Sequence, residues 1–355
     1  MSVLAINPGS TSTKIAVYTN SKVIFYKNIK HSVEDLKTFK RIADQYEYRK
    51  NIIYEELKKS NLNLSVIKVV VGRGGLLKPI PSGVYEVNEV MKKDLRKGIL
   101  GEHASNLGGL IADSIANDLG DAKAYIADPV VVDELEEVAR VAGHPLFDRI
   151  SIFHALNHKA VARFHAKCIS RNYEDLNLIV VHLGGGITVG AHRKGKVIDV
   201  NQGLDGEGPF SPERTGTLPV GALAKLCFSG EFTHEQVKKM ITGEGGFVAY
   251  FGTNDAMEVE NMINNGNKKA ELIFEAMAYQ VSKEIGAMAT VLKGKVDGIL
   301  ITGGLANNKW FVEMIIDSVA FLAPVSIYPG EDEMKALAMN GFMVMNNEIT
   351  VKEYK

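Results

Sequence analysis

Cysteine is nearly absent from this 355-residue chain, with only Cys168 and Cys227 present. Two thiols cannot build a disulfide framework, and neither has a partner at metal-ligand spacing, so a stapled extracellular fold and a cysteine zinc site are both excluded. The setting expected is a reducing cytoplasm, with both thiols in helix-like stretches as small core residues. Long hydrophobic runs are missing too. No stretch of about 18 apolar residues occurs, and residues 1–7 carry no basic leader or long apolar segment, so neither export nor membrane spanning is expected. Net charge is close to nil: 41 Lys and Arg stand against 42 Asp and Glu, for a formal charge of −1. Such a balance gives no global field to draw nucleic acid or anionic lipid, so any anion site must be local.

What is present is an ordinary globular composition, 46% hydrophobic and 23% charged, enough to bury a sizeable core. The length is about twice that of a usual single domain, which predicts two lobes. The expected division is 1–150 and 151–330, with 331–355 forming a helix that returns to the first lobe. Glycine is the excess: 34 residues, clustered at strand ends rather than in a linker, where backbone can approach a ligand.

The chain repeats its own syntax. Short apolar runs at 3–6 and 14–18 flank the loop Asn7-Pro8-Gly9-Ser10-Thr11-Ser12-Thr13, and 22–27 adds a third run. From residue 177 the order recurs as strand, Leu183-Gly184-Gly185-Gly186, strand, turn, strand. Setting Asn7 on His182 brings Lys22-Val23-Ile24 onto Lys196-Val197-Ile198 after a single-residue gap. A second echo pairs Val71-Gly72-Arg73-Gly74-Gly75 with Ile301-Thr302-Gly303-Gly304. Helical spacing at 33–59, 103–119, 154–167, 270–293 and 308–321 alternates with these strands, which argues an α/β protein of two related lobes.

Several residues carry chemistry in this pattern. Asn7, Ser10, Ser12 and Lys14 place an amide, hydroxyls and one positive charge on a hairpin loop suited to phosphate. This is not a Walker loop, since Gly-Lys-Ser/Thr is missing and a strand follows. His182, Gly184, Gly185 and Gly186 form a second loop whose backbone can touch an anion. Gly303 and Gly304 end a strand where a nucleotide commonly meets backbone, although a plain strand-to-helix turn reads the same way. Arg73 and Arg214 sit in loops where a planar fork would grip carboxylate or phosphate. His154 and His158 have zinc-helix spacing, but no Glu fills the catalytic slot and no third ligand follows. His154 reads either as facing a transferring phosphoryl group or as a core or capping residue, and His158 as structural. Asp128 closes an apolar strand before Pro129, as a ligand carboxylate or a turn former. The acidic run 331–333 is a helix cap from which a carboxylate could also reach a metal ion.

Taken together these motifs resemble the acetate kinase superfamily. Gly101-Glu102-His103-Ala104-Ser105-Asn106-Leu107-Gly108, Asp128-Pro129-Val130-Val131-Val132-Asp133-Glu134 and Leu204-Asp205-Gly206-Glu207-Gly208-Pro209-Phe210 look most like the butyrate kinases of the acetokinase family. The resemblance implies a duplicated ribonuclease-H-like, actin-like fold of two lobes with ATP in the cleft between them. It implies a phosphotransferase with a carboxyl acceptor, in which Arg73, Asp128, His154 and Arg214 are catalytic. Asn7, Ser10, Ser12, Lys14, His182, Gly184, Gly185, Gly186, Gly303 and Gly304 would bind nucleotide and phosphate, and Asn7 and Glu333 a magnesium ion (Mg2+), through water where needed. The expected partners are a short-chain carboxylate and ATP or ADP, in a cytoplasmic fermentative enzyme that is a homodimer or larger. Acetate kinases carry Gly-Thr-Ser where this chain has Ala155-Leu156-Asn157, and Asn where it has Gly185, so strict acetate specificity is not expected. Kinases of isobutyrate, propionate or acetate are the alternatives. A non-metabolic switch like actin or the heat-shock ATPases is a more distant one.

Overall fold

The computed structural model of the chain describes residues 1–330 and 332–355; Glu331, the first of the acidic run, lies outside the described residues. The chain divides into two units. One comprises Met1–Val132 with Asp332–Lys355, and the other runs from Asp133 to that return.

The first unit is built on six strands: β1 Ser2–Pro8, β2 Ser12–Thr19, β3 Lys22–Lys30, β4 Ile67–Arg73, β5 Val84–Glu86 and β6 Lys123–Ala127. Their order in the sheet is β3-β2-β1-β4-β6-β5. β1, with every residue buried, reads as an unbroken apolar run because it lies in mid-sheet with helices on its faces. β3 is the exposed edge, and its lysines discourage pairing with another chain. The second unit repeats the plan with β7 Asn177–Leu183, β8 Ile187–Arg193, β9 Lys196–Val200, β10 Gly298–Gly303 and β11 Val325–Pro329, in the order β11-β10-β7-β8-β9. In both units the first three strands are antiparallel, and two more follow in parallel on the other side of the first, β4 then β6 in one unit and β10 then β11 in the other, with the short β5 added antiparallel to β6. The duplicated ribonuclease-H-like architecture expected from the sequence is therefore present.

The correspondence extends to irregularities. The register slips between Val17 and Tyr18 in β2, and between Ala191 and His192 in β8, which are equivalent positions. The single-residue gap falls in the first hairpin loop: Pro8 pairs with Thr13, whereas Leu183 pairs with Ile187 around one residue fewer.

Two close approaches position the residues that follow. The helix Asn106–Leu119 packs on β4 through Gly72 and Gly108, where a Cβ on Gly72 would lie 2.2 Å from the Gly108 carbonyl oxygen. This contact fixes the end of β4 and so Arg73. The helix Glu333–Met345 packs on β1 and β4, bringing Glu333 to the ends of those strands. In the second unit, Phe274 of the long helix Lys268–Val291 stacks on Trp310 at 5.2 Å between centroids and meets Phe311 edge-on at 5.1 Å, to anchor the core beneath β7 and β10.

Three features depart from the sequence reading. The second unit begins at Asp133, ahead of the expected boundary at 150. Residues 133–150 are tied to it by Lys159 Nζ donating to Glu134 at 2.6 Å, Glu136 N–H to Ile198 O at 3.0 Å, and Arg149 to Asp199 at 2.9 Å. The helical stretch 33–59 is broken into Val33–Lys37, a 3-10 turn Ile42–Gln45 and Tyr46–Lys59. Thr38 closes the first piece by donating its hydroxyl to Asp35 O at 2.6 Å, and the next opens with the Arg41 N–H donating to the Asp44 carboxylate at 3.0 Å. Cys168 and Cys227 are exposed rather than in the core, because each ends its helix and the Val220–Cys227 helix buries none of its residues.

Candidate active site

The first hairpin loop is held from beneath by a residue that sequence reasoning missed. Arg49 is wholly buried, and its Nη1 donates to Gly9 O at 2.8 Å, Ser12 O at 3.1 Å and Thr13 Oγ1 at 3.1 Å. Nη2 donates to Ser10 O at 3.0 Å, while Gln45 takes Nε and Nη2. With three loop carbonyls turned onto one guanidinium, the N–H groups of Ser10 and Thr11 donate to no protein group among the described residues. Both are exposed, which suits an anion-accepting loop. Burial lowers the Arg49 pKa to about 10, still far above neutrality, so the cation persists under the loop. A signal was available: Arg49 stands at i, i+4, i+8 with Ile53 and Leu57, the buried stripe of a highly charged helix.

Beside this loop, Asn7, Arg73 and Glu333 meet. Asn7 Nδ2 donates to Glu333 Oε2 at 2.5 Å, and Arg73 Nη1 donates to the same oxygen at 2.8 Å and to Asn7 Oδ1 at 3.3 Å. Lys14 lies directly opposite Asn7 on β2 and is partly exposed. Asp128, just after β6, is almost fully buried, and its φ of 36° lies in the left-handed region that non-glycine residues adopt at a cost. Its Oδ1 accepts from Ser82 Oγ at 2.6 Å and Gly83 N–H at 2.8 Å. The turn-forming reading of Asp128 is thus met in a strained residue whose carboxylate holds Ser82 and Gly83.

In the second unit, the loop after β7 leaves the N–H groups of Gly185 and Gly186 without a protein acceptor among the described residues, at the positions equivalent to Ser10 and Thr11. Its glycines serve a purpose the sequence did not suggest. A Cβ on Gly186 would sit 1.9 Å from Arg214 Nη1, one on Gly184 2.8 Å from His182 Nε2, and one on Gly185 3.4 Å from the Glu213 carboxylate. The missing side chains admit the protein's own groups. Ser211 Oγ holds the loop by donating to Gly185 O at 2.6 Å. Arg214 donates to Gly203 O, but its buried Nε has no partner among the described residues. Burial pulls the Arg214 pKa down, against the pull of Glu213.

His154 and His182 stack with centroids 3.9 Å apart and planes 15° apart, and His182 Nδ1 lies 2.8 Å from Asn157 Oδ1. Asn157 therefore sets the His182 ring. Gly303 has φ 95°, and a Cβ there would meet Leu183 O at 2.3 Å, so this glycine serves the packing of β10 on β7. Gly304 faces open space and is exposed. Among the described residues no group of three or more His, Cys, Asp and Glu could hold a metal ion. No described helix is long and apolar enough to cross a membrane.

The acetokinase family pattern matches residues 148–346. The chain is 56% identical over 353 residues, 99% of each chain, to butyrate kinase 2 of Clostridium acetobutylicum. Among solved structures, acetate kinase from Porphyromonas gingivalis superposes with a TM-score of 0.80 at 18% identity, covering 97% of this chain and 99% of that one. A propionate kinase from Francisella tularensis gives 0.75 at 19% identity, over 96% and 98%. At those identities the two structures speak for the fold alone.

Proposed function

The chain belongs to the acetokinase family, and we propose that it is an acyl kinase that moves the γ-phosphoryl group of ATP reversibly to the carboxylate of butyrate, giving butyryl phosphate and ADP. The likeness to a butyrate kinase along nearly the whole chain carries this reading. The geometry agrees with it. A carboxylic acid with a pKa near ~4.3 is ionised at neutral pH, so the acceptor needs no base to remove its proton. The obstacle is repulsion between two anions, and what the reaction needs is donors and cations placed where charge develops.

Each unit supplies such a set. The first offers the Ser10 and Thr11 N–H groups, the Ser10 and Ser12 hydroxyls, Lys14 and Arg73. The second offers the Gly185 and Gly186 N–H groups, His154, His182 and Arg214, whose orphaned Nε an acyl or phosphoryl oxygen would satisfy. Gly304 is open for a nucleotide to lie against, and Asp128 orients rather than abstracts a proton. Asn7 and Glu333 offer only oxygen and amide donors, with a single carboxylate. That fits Mg2+, which takes one or two carboxylates and completes its shell with phosphate and water. When bound, the ion would neutralise charge on the phosphates. We place the protein in the cytoplasm, as a homodimer or larger assembly of a fermentative pathway.

The test is an acid series from two to six carbons with ATP, trapping the acyl phosphate as a hydroxamate. The four-carbon acid should give the highest kcat/KM. Adjacent acids should follow within about fivefold, since one buried methylene is worth about 0.8 kcal/mol. A preference for acetate would make the chain an acetate kinase. Steady ATP hydrolysis with no acyl phosphate from any acid would point to the switch-like alternative.

A further inference from the structure

Behind His154 runs a line of buried polar contacts that the reaction so far leaves without a role. Thr188 Oγ1 lies 2.9 Å from His154 Nδ1 and 2.9 Å from His158 Nε2. His158 Nδ1 lies 3.3 Å from His192 Nε2, and His192 Nδ1 lies 2.7 Å from the Tyr173 hydroxyl. Thr188, His158 and His192 are fully buried and Tyr173 nearly so. The arrangement follows from local structure. His154 and His158 are a helical turn apart, while Thr188 and His192 share one face of β8 with Gly190 between them. A Cβ on Gly190 would lie only 3.2 Å from His158 Nδ1, so the glycine clears the path between the two imidazoles.

Burial holds the pKa of both His158 and His192 well below the ordinary histidine value; repulsion from His182 and Lys159 acts in the same direction on His158, and repulsion from His158, Lys159 and Arg163 on His192. Both rings are therefore neutral, and a neutral imidazole with both nitrogens engaged donates once and accepts once. His192 and His158 must therefore be polarised in the same sense, and where His158 donates to Thr188 the hydroxyl keeps its one proton to give to His154.

We propose that Tyr173, His192, His158 and Thr188 are a positioning relay that fixes the tautomer of His154. Tyr173 donates to His192 Nδ1, His192 Nε2–H to His158 Nδ1, His158 Nε2–H to Thr188 Oγ1, and the Thr188 hydroxyl to His154 Nδ1. The proton of His154 is then on Nε2, where it serves as a donor to a phosphoryl oxygen. The opposite sense would leave Nε2 a bare acceptor, useless to an unprotonated oxygen. This inference rests on reading His154 as the group that faces the transferred phosphoryl.

The test combines imidazole nitrogen NMR of the 15N-histidine-labelled full chain with kinetics of Thr188→Val, Thr188→Ser and Tyr173→Phe, assigning the His154 signals with His154→Gln. The wild-type His154 should show the Nε2–H tautomer. Thr188→Val should move it toward Nδ1–H and lower kcat about tenfold, the worth of one buried hydrogen bond, with KM for acid and ATP within about twofold. Thr188→Ser, which keeps the hydroxyl, should restore both, and Tyr173→Phe should lower kcat less than Thr188→Val while leaving the strand's packing untouched. An Nδ1–H tautomer in the wild type would overturn the relay, as would Thr188→Val and Tyr173→Phe chains with unchanged tautomer and kcat. If the tautomer responds as expected but no acid is phosphorylated, the relay stands and the substrate reading fails.

Discussion

The two hairpin loops present the same feature, a pair of consecutive N–H groups with no protein acceptor among the described residues, and reach it by opposite means. After β1 the loop is rich in hydroxyls, and its carbonyls are drawn inward by the buried guanidinium of Arg49. After β7 the loop is all glycine, and the protein's own Arg214, Glu213 and His182 lie against it from outside, with Ser211 taking one carbonyl. One scaffold, duplicated, thus carries a cation beneath the loop in one copy and beside it in the other. The lesson is that donor placement can be conserved in geometry while its cause is not. Substitutions in the two supports should therefore fail differently.

The largest effect is expected at Arg49. Arg49→Met removes the donor shared by three loop carbonyls, the Thr13 hydroxyl and Gln45, leaving Gly9 O, Ser10 O and Gln45 Oε1 without it, and should lower unfolding free energy by about 3–5 kcal/mol, measured by urea denaturation of the full chain. Arg49→Lys keeps the charge but not the fork, and should recover less than half of the loss. If Arg49→Met were as stable as wild type, the clamp beneath the first loop would carry no weight.

A second prediction concerns acid. His31 Nε2 lies 2.8 Å from Thr13 Oγ1, its Nδ1 is buried without a partner among the described residues, and burial with nearby Arg49 lowers its pKa to about 4. Above pH 6.5 the ring is neutral in both folded and unfolded chains and pH has no effect through it. As pH falls from 6.5 toward 4, the unfolded chain binds a proton that the folded chain refuses, so stability drops, by at most about 3 kcal/mol. In His31→Gln that share should vanish, while the contributions of His158 and His192 remain. Parallel stability profiles for the two proteins between pH 6.5 and 4 would show the first loop to be indifferent to His31.

Gly186→Ala probes the other support. Its Cβ would overlap Arg214 Nη1, and moving that buried guanidinium from Gly203 should reduce kcat about 100-fold, with a smaller loss of stability. A variant retaining more than about a third of wild-type kcat would mean that Arg214 has other productive positions.

How far the sequence revealed this follows from what each residue depends on. The duplication was legible because strands, tight loops and glycines are local signals, and even the one-residue gap could be counted before its place in the first loop was known. Asn7, Arg73 and Glu333 were each singled out, but their meeting on one carboxylate oxygen depends on a helix returning from the end of the chain. Arg49 was hidden in a helix dense with charge, and only its alignment with Ile53 and Leu57 marked it as buried. The glycines of the second loop signal close approach in the sequence, but that the protein's own groups approach them does not show there. Side chains contributed by residues 211–214 cannot be inferred from local pattern, nor can the attachment of 133–150 to the second unit, since both are tertiary contacts. The burial of His158 and its contacts with Thr188 and His192 likewise depend on a strand distant in the sequence.

The smallest effect sharpens the contrast most. Gly9 occupies the position of Gly184, yet a Cβ there would meet only Ser12 O at 3.5 Å and Ser12 Oγ at 3.8 Å, which is ordinary contact, and its φ is not positive. Gly9→Ala should change stability by no more than about 0.5 kcal/mol, because lost freedom in the unfolded chain offsets the little strain introduced. Its kcat should stay within about threefold of wild type if phosphate is held by the outward N–H groups of Ser10 and Thr11. A loss beyond about thirtyfold at unchanged stability would mean that the ligand presses on the Gly9 α-carbon itself. The first loop would then owe its glycine to the ligand, as the second owes Gly186 to Arg214, and the asymmetry between the two supports would shrink to the single guanidinium beneath the first.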